Sequence, residues 1–338
     1  MQGKKYKGSI YLSTCHNPWF NQAFEEDLLN CLKQDEVVFY LWQNQKTVVI
    51  GRHQNAWKEA DWAALQKDGG YLARRITGGG AVYHDLGNIN FTFIAPADLY
   101  DVTKQLSVIL HAVLQMGVPA RFTGRNDLEA EGKKFSGNAF CHRKDGSMHH
   151  GTLLIDSDFC HLSAYLLPSP QKILSKGVDS VAARVINLKE LNPMIDVPTC
   201  KDVLCRSFAQ IYQDVIDNLQ VVSVDTSDDT FGDAALKQKF TSWEWRFGAS
   251  PTFSITLQNR FDWGDFELCC NNDGGNICQC VIYSDALDAD LITRLQNCLI
   301  NVPFCQALIQ KAWKEIPENP QQEAIVSQLI QWLEIAKI

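Results

Sequence analysis

Three consecutive glycines, Gly78-Gly79-Gly80, sit between an arginine pair and an alternating stretch, in Tyr71-Leu-Ala-Arg-Arg-Ile-Thr-Gly-Gly-Gly-Ala-Val-Tyr-His-Asp85. Such a run weakens any helix or strand, so the segment has to be a connection where backbone bends or something approaches it closely. It is not a P-loop, because no Gly-Lys-Ser/Thr follows. Nor is it the dinucleotide fingerprint: Gly78 and Gly80 fit, but Tyr83 occupies the last glycine position and a strand follows where a helix belongs. Exposed backbone N–H groups beside Arg74 and Arg75 suit an anion such as phosphate or carboxylate. The alternative is a plain hairpin loop with two solvated arginines.

Around this segment the pattern alternates between strand and helix. Val37–Trp42 and Thr47–Ile50 read as buried strands flanking the turn 43–46. Asn17-Pro18 marks a helix start, with proline at the first helical position. Tyr100 to Met116 has apolar residues at helical spacing and stops at Gly117, and Cys200 to Leu219 reads as a second amphipathic helix. In Asn88–Ile94, alternation sends Ile89, Phe91 and Phe93 to a core and Asn88, Asn90 and Thr92 to a cleft or solvent. After residue 251 come strand-like segments at Phe253–Leu257, Phe266–Cys270 and Gln279–Tyr283, with the hairpin turn Asn272-Asp-Gly-Gly275 between the last two. Helix-like segments follow at Asp288–Ile300 and Gln321–Ile338. The expected fold class is α+β: a catalytic domain of mixed sheets packed with helices over 1–246, a linker at 247–251 and a small α+β accessory domain over 252–338.

Bulk properties narrow the function classes. The 338 residues allow one large domain or two smaller ones. A net charge of −8 argues against general nucleic-acid binding. No apolar run is long enough to span a bilayer, and the basic N-terminus lacks the apolar stretch of a signal peptide. Twelve cysteines without a secretory signal read as reduced thiols, which places the protein in the cytoplasm.

Four further groups carry possible chemistry. Gly124-Arg-Asn-Asp-Leu128 leads into a hairpin that delivers Lys133 and Lys134 next to Ser136-Gly137, where a lysine could hold a phosphate or stabilise developing charge. Two solvated lysines are the bland alternative. His149 and His150 are adjacent on a strand, so they point to opposite faces and at most one lines a cleft. Cys269, Cys270, Cys278 and Cys280 flank the hairpin turn, which would set Cys269 opposite Cys278 or Cys280; the spacing is not that of a zinc ribbon, and small buried thiols are the alternative. Cys141 follows closely after Lys134, and a thiolate among Lys133, Lys134, His142 and Arg143 could act as an acyl-accepting nucleophile or be an inert thiol.

Taken in order, Arg-Arg-x-x-Gly-Gly-Gly-Ala-Val-Tyr-His-Asp, Gly-Asn-x-x-Phe-Thr-Phe, Gly-Arg-Asn-Asp-Leu, Lys-x-Ser-Gly-x-Ala and His-His-Gly-Thr-Leu-Leu resemble the lipoate–protein ligase A family. Cys15-His-Asn-Pro-Trp-Phe-Asn21, the motif at 48–59 and Ser-Trp-Glu-Trp-x-Phe-Gly at 242–248 extend the resemblance over essentially the whole chain. The resemblance implies a catalytic domain like that of biotin and lipoate ligases. It implies ATP-dependent activation of lipoate or octanoate to an acyl-AMP, then transfer to the ε-amine of a lysine on a lipoyl domain.

By position, Arg75 and the backbone of Gly80, Ala81, Val82 and Tyr83 would hold ATP. Lys134 would bridge the α-phosphate and the lipoyl carboxyl. Asn126 and Asp127 would line the adenine or metal side, and His149 would border the lipoate tunnel. Mg²⁺ is expected with the triphosphate, with no residue assigned as its ligand. The expected partners are apo lipoyl domains of 2-oxoacid dehydrogenase E2 subunits and the glycine cleavage H protein, bound by a monomer with no nucleic acid or membrane. A local basic rim of Arg74, Lys133, Arg143 and Lys144 would dock them. The rival within the superfamily is a cysteine-dependent octanoyltransferase using Cys141.

Overall fold

The computed structural model describes residues 5–123, 127–167, 184–225, 232–248 and 253–336. The chain divides into two compact units: Met1–Ile50, Ala56–Arg75 and Ala81–Arg246 form the first, and Gly51–Asn55, Ile76–Gly80 and Phe247–Ile338 the second. Two short excursions of the first half thus group with the C-terminal residues, which a linear reading does not anticipate.

The first unit is built on strands β1 (Tyr6–Ser13), β2 (Glu36–Trp42), β3 (Thr47–Ile50), β4 (Tyr71–Arg74), β5 (Val82–His84), β6 (Asn88–Ala95), β7 (Arg121–Thr123), β8 (Asp127–Ala130), β9 (Lys133–His142), β10 (Ser147–Leu154) and β11 (Ile216–Val224). Eight of them make one sheet in the order β11-β1-β2-β6-β10-β9-β8-β7, and β4-β3-β5 make a second. Thus β2 and β3, consecutive around the turn at 43–46, belong to different sheets.

Register divides the large sheet into two faces. Phe39 lies opposite Phe93, Leu41 opposite Phe91 and His149 opposite Phe93, all on one face. That face packs against helices Val102–Gln115 and Val197–Tyr212 through Val108, Ile109, Ala112, Leu204 and Phe208. Tyr40, Thr92 and His150 share a row on the other face, and Trp42, Asn90 and Thr152 share the next. Helix Pro18–Asn30 packs on this second face with Phe20 and Phe24 against Tyr40 and Trp42. Its start follows the sequence signal, since the Asn17 side chain accepts from the N–H groups of Trp19 and Phe20 and proline occupies the first turn.

The helix expected over Cys200–Leu219 ends at Tyr212, and Ile216–Val224 is the edge strand β11, parallel to β1. Apolar residues continue at a spacing of four through Ile211, Val215 and Leu219, so periodicity hid the change; pairing with Tyr6–Ser13 decides it.

In the second unit β12 (Ile255–Phe261), β13 (Gly264–Asp273) and β14 (Asn276–Ser284) form an antiparallel sheet. Gly274 and Gly275 have φ of 56° and 88°, the left-handed pair that a tight hairpin turn needs. Three helices cover the sheet where two were expected: Ala289–Asn297, Gln306–Lys314 and Pro320–Ala336. The unexpected one is only 9 residues long and is fixed by burial of Ile309 and Trp313 against Phe266, Leu295 and Leu329. A bulge at Asn271/Asn272 shifts the hairpin register, so Cys270 faces Cys280, with the sulfurs 3.8 Å apart, and Cys269 faces Val281, not another cysteine. All twelve cysteines are free thiols. Among the described residues no helix is long and apolar enough to cross a membrane.

Candidate active site

The β8–β9 hairpin turns through Glu131 and Gly132, both left-handed at φ 51° and 76°, and brings Lys134 back beside Asp127. Lys134 Nζ lies 2.7 Å from Asp127 Oδ1, with side chains 36% and 34% exposed, so an incoming anion can reach the ammonium and exchange with the carboxylate. The lysine folds over Gly137, where a Cβ would stand 2.8 Å from Nζ, so the glycine leaves the room the lysine occupies. The Gly137 N–H donates to Thr152 Oγ1 at 3.2 Å, which ties β9 to β10 under the lysine. Gly137 and Thr152 belong to the same face as His150, two residues along β10.

On that face, where a cleft or solvent was expected, buried polar side chains meet one another. Glu25, 2% exposed on helix Pro18–Asn30, has Oε1 2.8 Å from His150 Nδ1 and accepts the Thr92 hydroxyl at 2.5 Å. Thr92 Oγ1 in turn accepts the Trp42 indole N–H at 3.1 Å. Asn88 donates to Asn90 Oδ1 at 3.0 Å, and its own Oδ1 is buried with no partner among the described residues.

The small sheet adds Arg75 and His84. Arg75 is buried; its backbone N–H donates to Ile50 O at 3.0 Å and its guanidinium to Val49 O at 3.3 Å. Burial lowers its pKa to about 10, opposed by the charges of Glu25 and Glu59, so it stays cationic at neutral pH. His84 is pushed down to about 3, first by burial and then by Arg75 and His150. It is therefore a neutral imidazole. Its Nδ1 lies 3.1 Å from the Asn44 amide nitrogen, which is itself oriented because Asn44 Oδ1 accepts from Asn21, so Nδ1 is the acceptor and Nε2 carries the proton. That Nε2 is buried without a partner among the described residues. Trp42 meets the His84 ring edge-on at 6.1 Å.

Several expected site residues fall elsewhere. Arg74 is 6% exposed and does not belong to a solvated rim: Nε donates to Trp245 O at 2.7 Å and Nη2 to Arg246 O at 3.0 Å. Arg143 pairs with Glu26 at 3.2 Å, a carboxylate that also binds Lys239 at 2.5 Å, and its side chain stays 37% exposed. His149 lies on the core face with no exposure, against Phe93, Phe91 and Phe140 and between Gln105 Oε1 at 3.0 Å and Asn138 Oδ1 at 2.8 Å. Burial lowers its pKa to about 3. Of the two histidines, His150 is the one on the Lys134 face. Cys141 lies seven residues along β9 from Lys134, roughly 23 Å at the rise of a strand, so closeness in sequence is not closeness in space. Asn126 lies outside the described residues.

The three glycines have three different reasons. A Cβ on Gly78 would stand 2.0 Å from Ala286 O; Gly79 has φ 90° and donates its N–H to Ala286 O at 3.0 Å; a Cβ on Gly80 would meet nothing within 4 Å. Beyond them Val82 and Tyr83 pair with Val49 and Val48 in β5, and Tyr83 is buried against the rings of Tyr165 and His161.

Glu25 and Trp42 lie outside the motifs, and His84 and His150 lie within them with no role assigned from sequence. The available signal was the polar side of β6: Asn88, Asn90 and Thr92 mark a face that needs buried polar partners.

Residues 17–209 match the lipoyl protein ligase A/B catalytic domain, and residues 250–333 match the bacterial lipoate protein ligase C-terminus. A lipoate-protein ligase A of Psychrobacter cryohalolentis is 39% identical over 329 residues, covering 96% of this chain and 97% of that protein. Among solved structures, P. falciparum LipL1 in complex with lipoate superposes with a TM-score of 0.84 at 30% identity, covering 96% of this chain and 99% of that one. A lipoate-protein ligase A bound with ATP superposes at 0.61 and 25% identity, over 73% of this chain and 99% of that one. The bi-partite lipoate protein ligase of Thermoplasma acidophilum, studied with its E2 lipoyl domain, superposes at 0.61 and 26%, over 74% and 100%.

Proposed function

The chain belongs to the lipoate–protein ligase family and is an ATP-dependent ligase that attaches lipoate to protein, and we propose how its residues divide that work. The observation that carries the assignment is Lys134, held over Gly137 on the sheet face that also bears Trp42 and the Glu25–His150 pair. Gly137, Thr152, Asn90 and Trp42 form one row across four strands, about 14 Å at ordinary strand spacing, which suits a medium-length acyl chain with its carboxylate at Lys134.

In the first half-reaction a lipoate carboxylate oxygen attacks the α-phosphorus of ATP. The bond from that phosphorus to the bridging oxygen breaks and pyrophosphate leaves. Lys134 leaves Asp127 and lies between the two anions, neutralising charge as they meet. In the second half-reaction the acceptor amine attacks the acyl carbon, the carbon–oxygen bond to AMP breaks, AMP leaves, and the amine's proton passes to solvent. The same ammonium stabilises the oxygen charge that develops there.

Arg75 and the backbone from Gly80 through Ala81, Val82 and Tyr83 are assigned to the nucleotide. Arg75 is cationic and buried, which strengthens its pull on phosphate. Asn126 and Asp127 are assigned to the adenine or metal side. Mg²⁺ enters with the triphosphate as part of the substrate, and the Asp127 carboxylate has the hard-oxygen chemistry that ion takes. Domains are assigned as catalytic 1–246, linker 247–251 and accessory 252–338, supported by the first unit's last residue, Arg246. The acceptors are apo lipoyl domains of E2 subunits and the glycine cleavage H protein. The free thiols suit the cytoplasm, where a monomer acts.

Incubation with ATP, Mg²⁺, lipoate and an apo lipoyl domain should add one lipoyl group to the acceptor, read by mass, and release pyrophosphate. Lys134→Ala should remain folded and lose lipoyl-AMP formation, a charge-stabilising effect of about 3–4 kcal/mol. Normal adenylate yield from that folded variant would remove Lys134 from the chemistry.

A further inference from the structure

Strand β4 is an edge of the small sheet, paired among the described residues with β3 alone. On its open side two main-chain carbonyls, Leu72 O and Arg74 O, accept indole N–H groups, from Trp19 Nε1 at 3.0 Å and Trp245 Nε1 at 2.8 Å. The Arg74 carbonyl and the Arg75 N–H belong to one planar peptide. That peptide is held at both ends: Trp245 donates to its oxygen and its N–H donates to Ile50 O at 3.0 Å. Arg74 closes the clamp from the other direction, its buried guanidinium donating to the carbonyls of Trp245 at 2.7 Å and Arg246 at 3.0 Å.

The partner segment is itself anchored. Lys239 Nζ lies 4.2 Å over the Trp245 ring, Phe240 meets that ring edge-on, and Arg246 lies 4.7 Å over Trp19. The two adjacent arginines therefore have different roles. Arg74 commits its donors to backbone carbonyls, and Arg75 begins from a peptide plane fixed on both sides.

We propose that Arg74 and Trp245 are positioning residues for the known reaction, a reciprocal clamp that sets the Arg75 guanidinium for nucleotide binding. The proposal rests on the reading of Arg75 as a nucleotide ligand, and the test separates the two. Trp245→Phe keeps an aromatic ring beside Lys239 and Phe240 while removing the N–H together with part of the indole's ring area, a packing loss that the thermal midpoint reads. Arg74→Lys keeps the charge and removes the fork. Arg75→Ala tests the underlying reading.

KM for ATP, KM for lipoate and kcat of pyrophosphate release are measured on the full chain, with the thermal midpoint of each variant. Trp245→Phe and Arg74→Lys should each raise KM for ATP about tenfold, the upper scale for losing part-buried hydrogen bonds, and leave KM for lipoate unchanged. Arg75→Ala should raise KM for ATP at least as much. If Arg75→Ala raises it and both clamp variants leave it unchanged, the clamp idea is overturned and the nucleotide reading survives. If Arg75→Ala leaves it unchanged, both fall. A parallel loss of midpoint with both KM values raised together would show a merely structural role and also overturns the proposal.

Discussion

Single residues divide into those that a motif exposes and those that only folding assembles. Lys134 and Arg75 stand in runs of recognisable residue types, and folding sets Lys134 beside Asp127 and Arg75 against the Val49 carbonyl. Glu25 and His150 are 125 positions apart, and nothing local marks their pairing. His149 illustrates the converse: strand parity requires that only one of two neighbours face the cleft, but the choice depends on which face the helices cover. Buried neutral histidines also make a measurable prediction. The folded pKa values of His84 and His149 are lowered to about 3 from 6.5, so the unfolded chain binds these protons first. Their contribution is intact above pH 6.5 and is lost as pH falls from there toward 3. At pH 5 each should cost about 2 kcal/mol. Urea unfolding at pH 7 and pH 5 should show that loss, and His149→Gln should make the pH dependence shallower.

Elements were legible where periodicity and punctuation agreed. Helix Val102–Gln115 has an aspartate cap and ends at Gly117, whose φ of 77° forbids its continuation. The boundary between Tyr212 and β11 was not legible, because the strand's partner, β1, lies near the opposite end of the unit's sequence. The glycines show the same division. A residue count identifies a break, whereas each glycine's reason depends on a distant neighbour. Gly137→Ala places a methyl against the movable end of Lys134, so the lysine swings away; the variant should keep its thermal midpoint and lose most of its adenylate formation. Gly78→Ala drives a methyl into the rigid backbone at Ala286, and should lower the stability of the second unit by about 1–3 kcal/mol, the usual scale of overpacking. Calorimetry with a pyrophosphate-release assay distinguishes the two outcomes.

For the whole molecule, sequence order sufficed for the α+β fold class, and each of the two compact units carries its own core. It did not reveal that 51–55 and 76–80 group with the C-terminal residues, since a short polar-rich excursion has no periodicity to betray its neighbours. The choice between ATP-dependent ligase and cysteine transferase is also decided at this scale. Cys141 is distant along β9 from Lys134, so Cys141→Ser should retain full ATP-dependent lipoylation of a purified acceptor. Loss of activity in that variant, with ATP irrelevant, would contradict the ligase chemistry.

The indole donors on β4 come from opposite ends of the first unit, at positions 19 and 245. During synthesis the edge at Leu72–Arg74 therefore stays half covered until nearly all of that unit has left the ribosome. An open strand edge is a template for mispairing with another chain. A fragment stopped at residue 242 would keep β11 and helix Ala234–Thr241 but lack Trp245, and should aggregate in a cell-free translation where a fragment stopped at 246 stays dispersed. Equal dispersal of the two fragments would show that the Trp245 indole does not protect this edge.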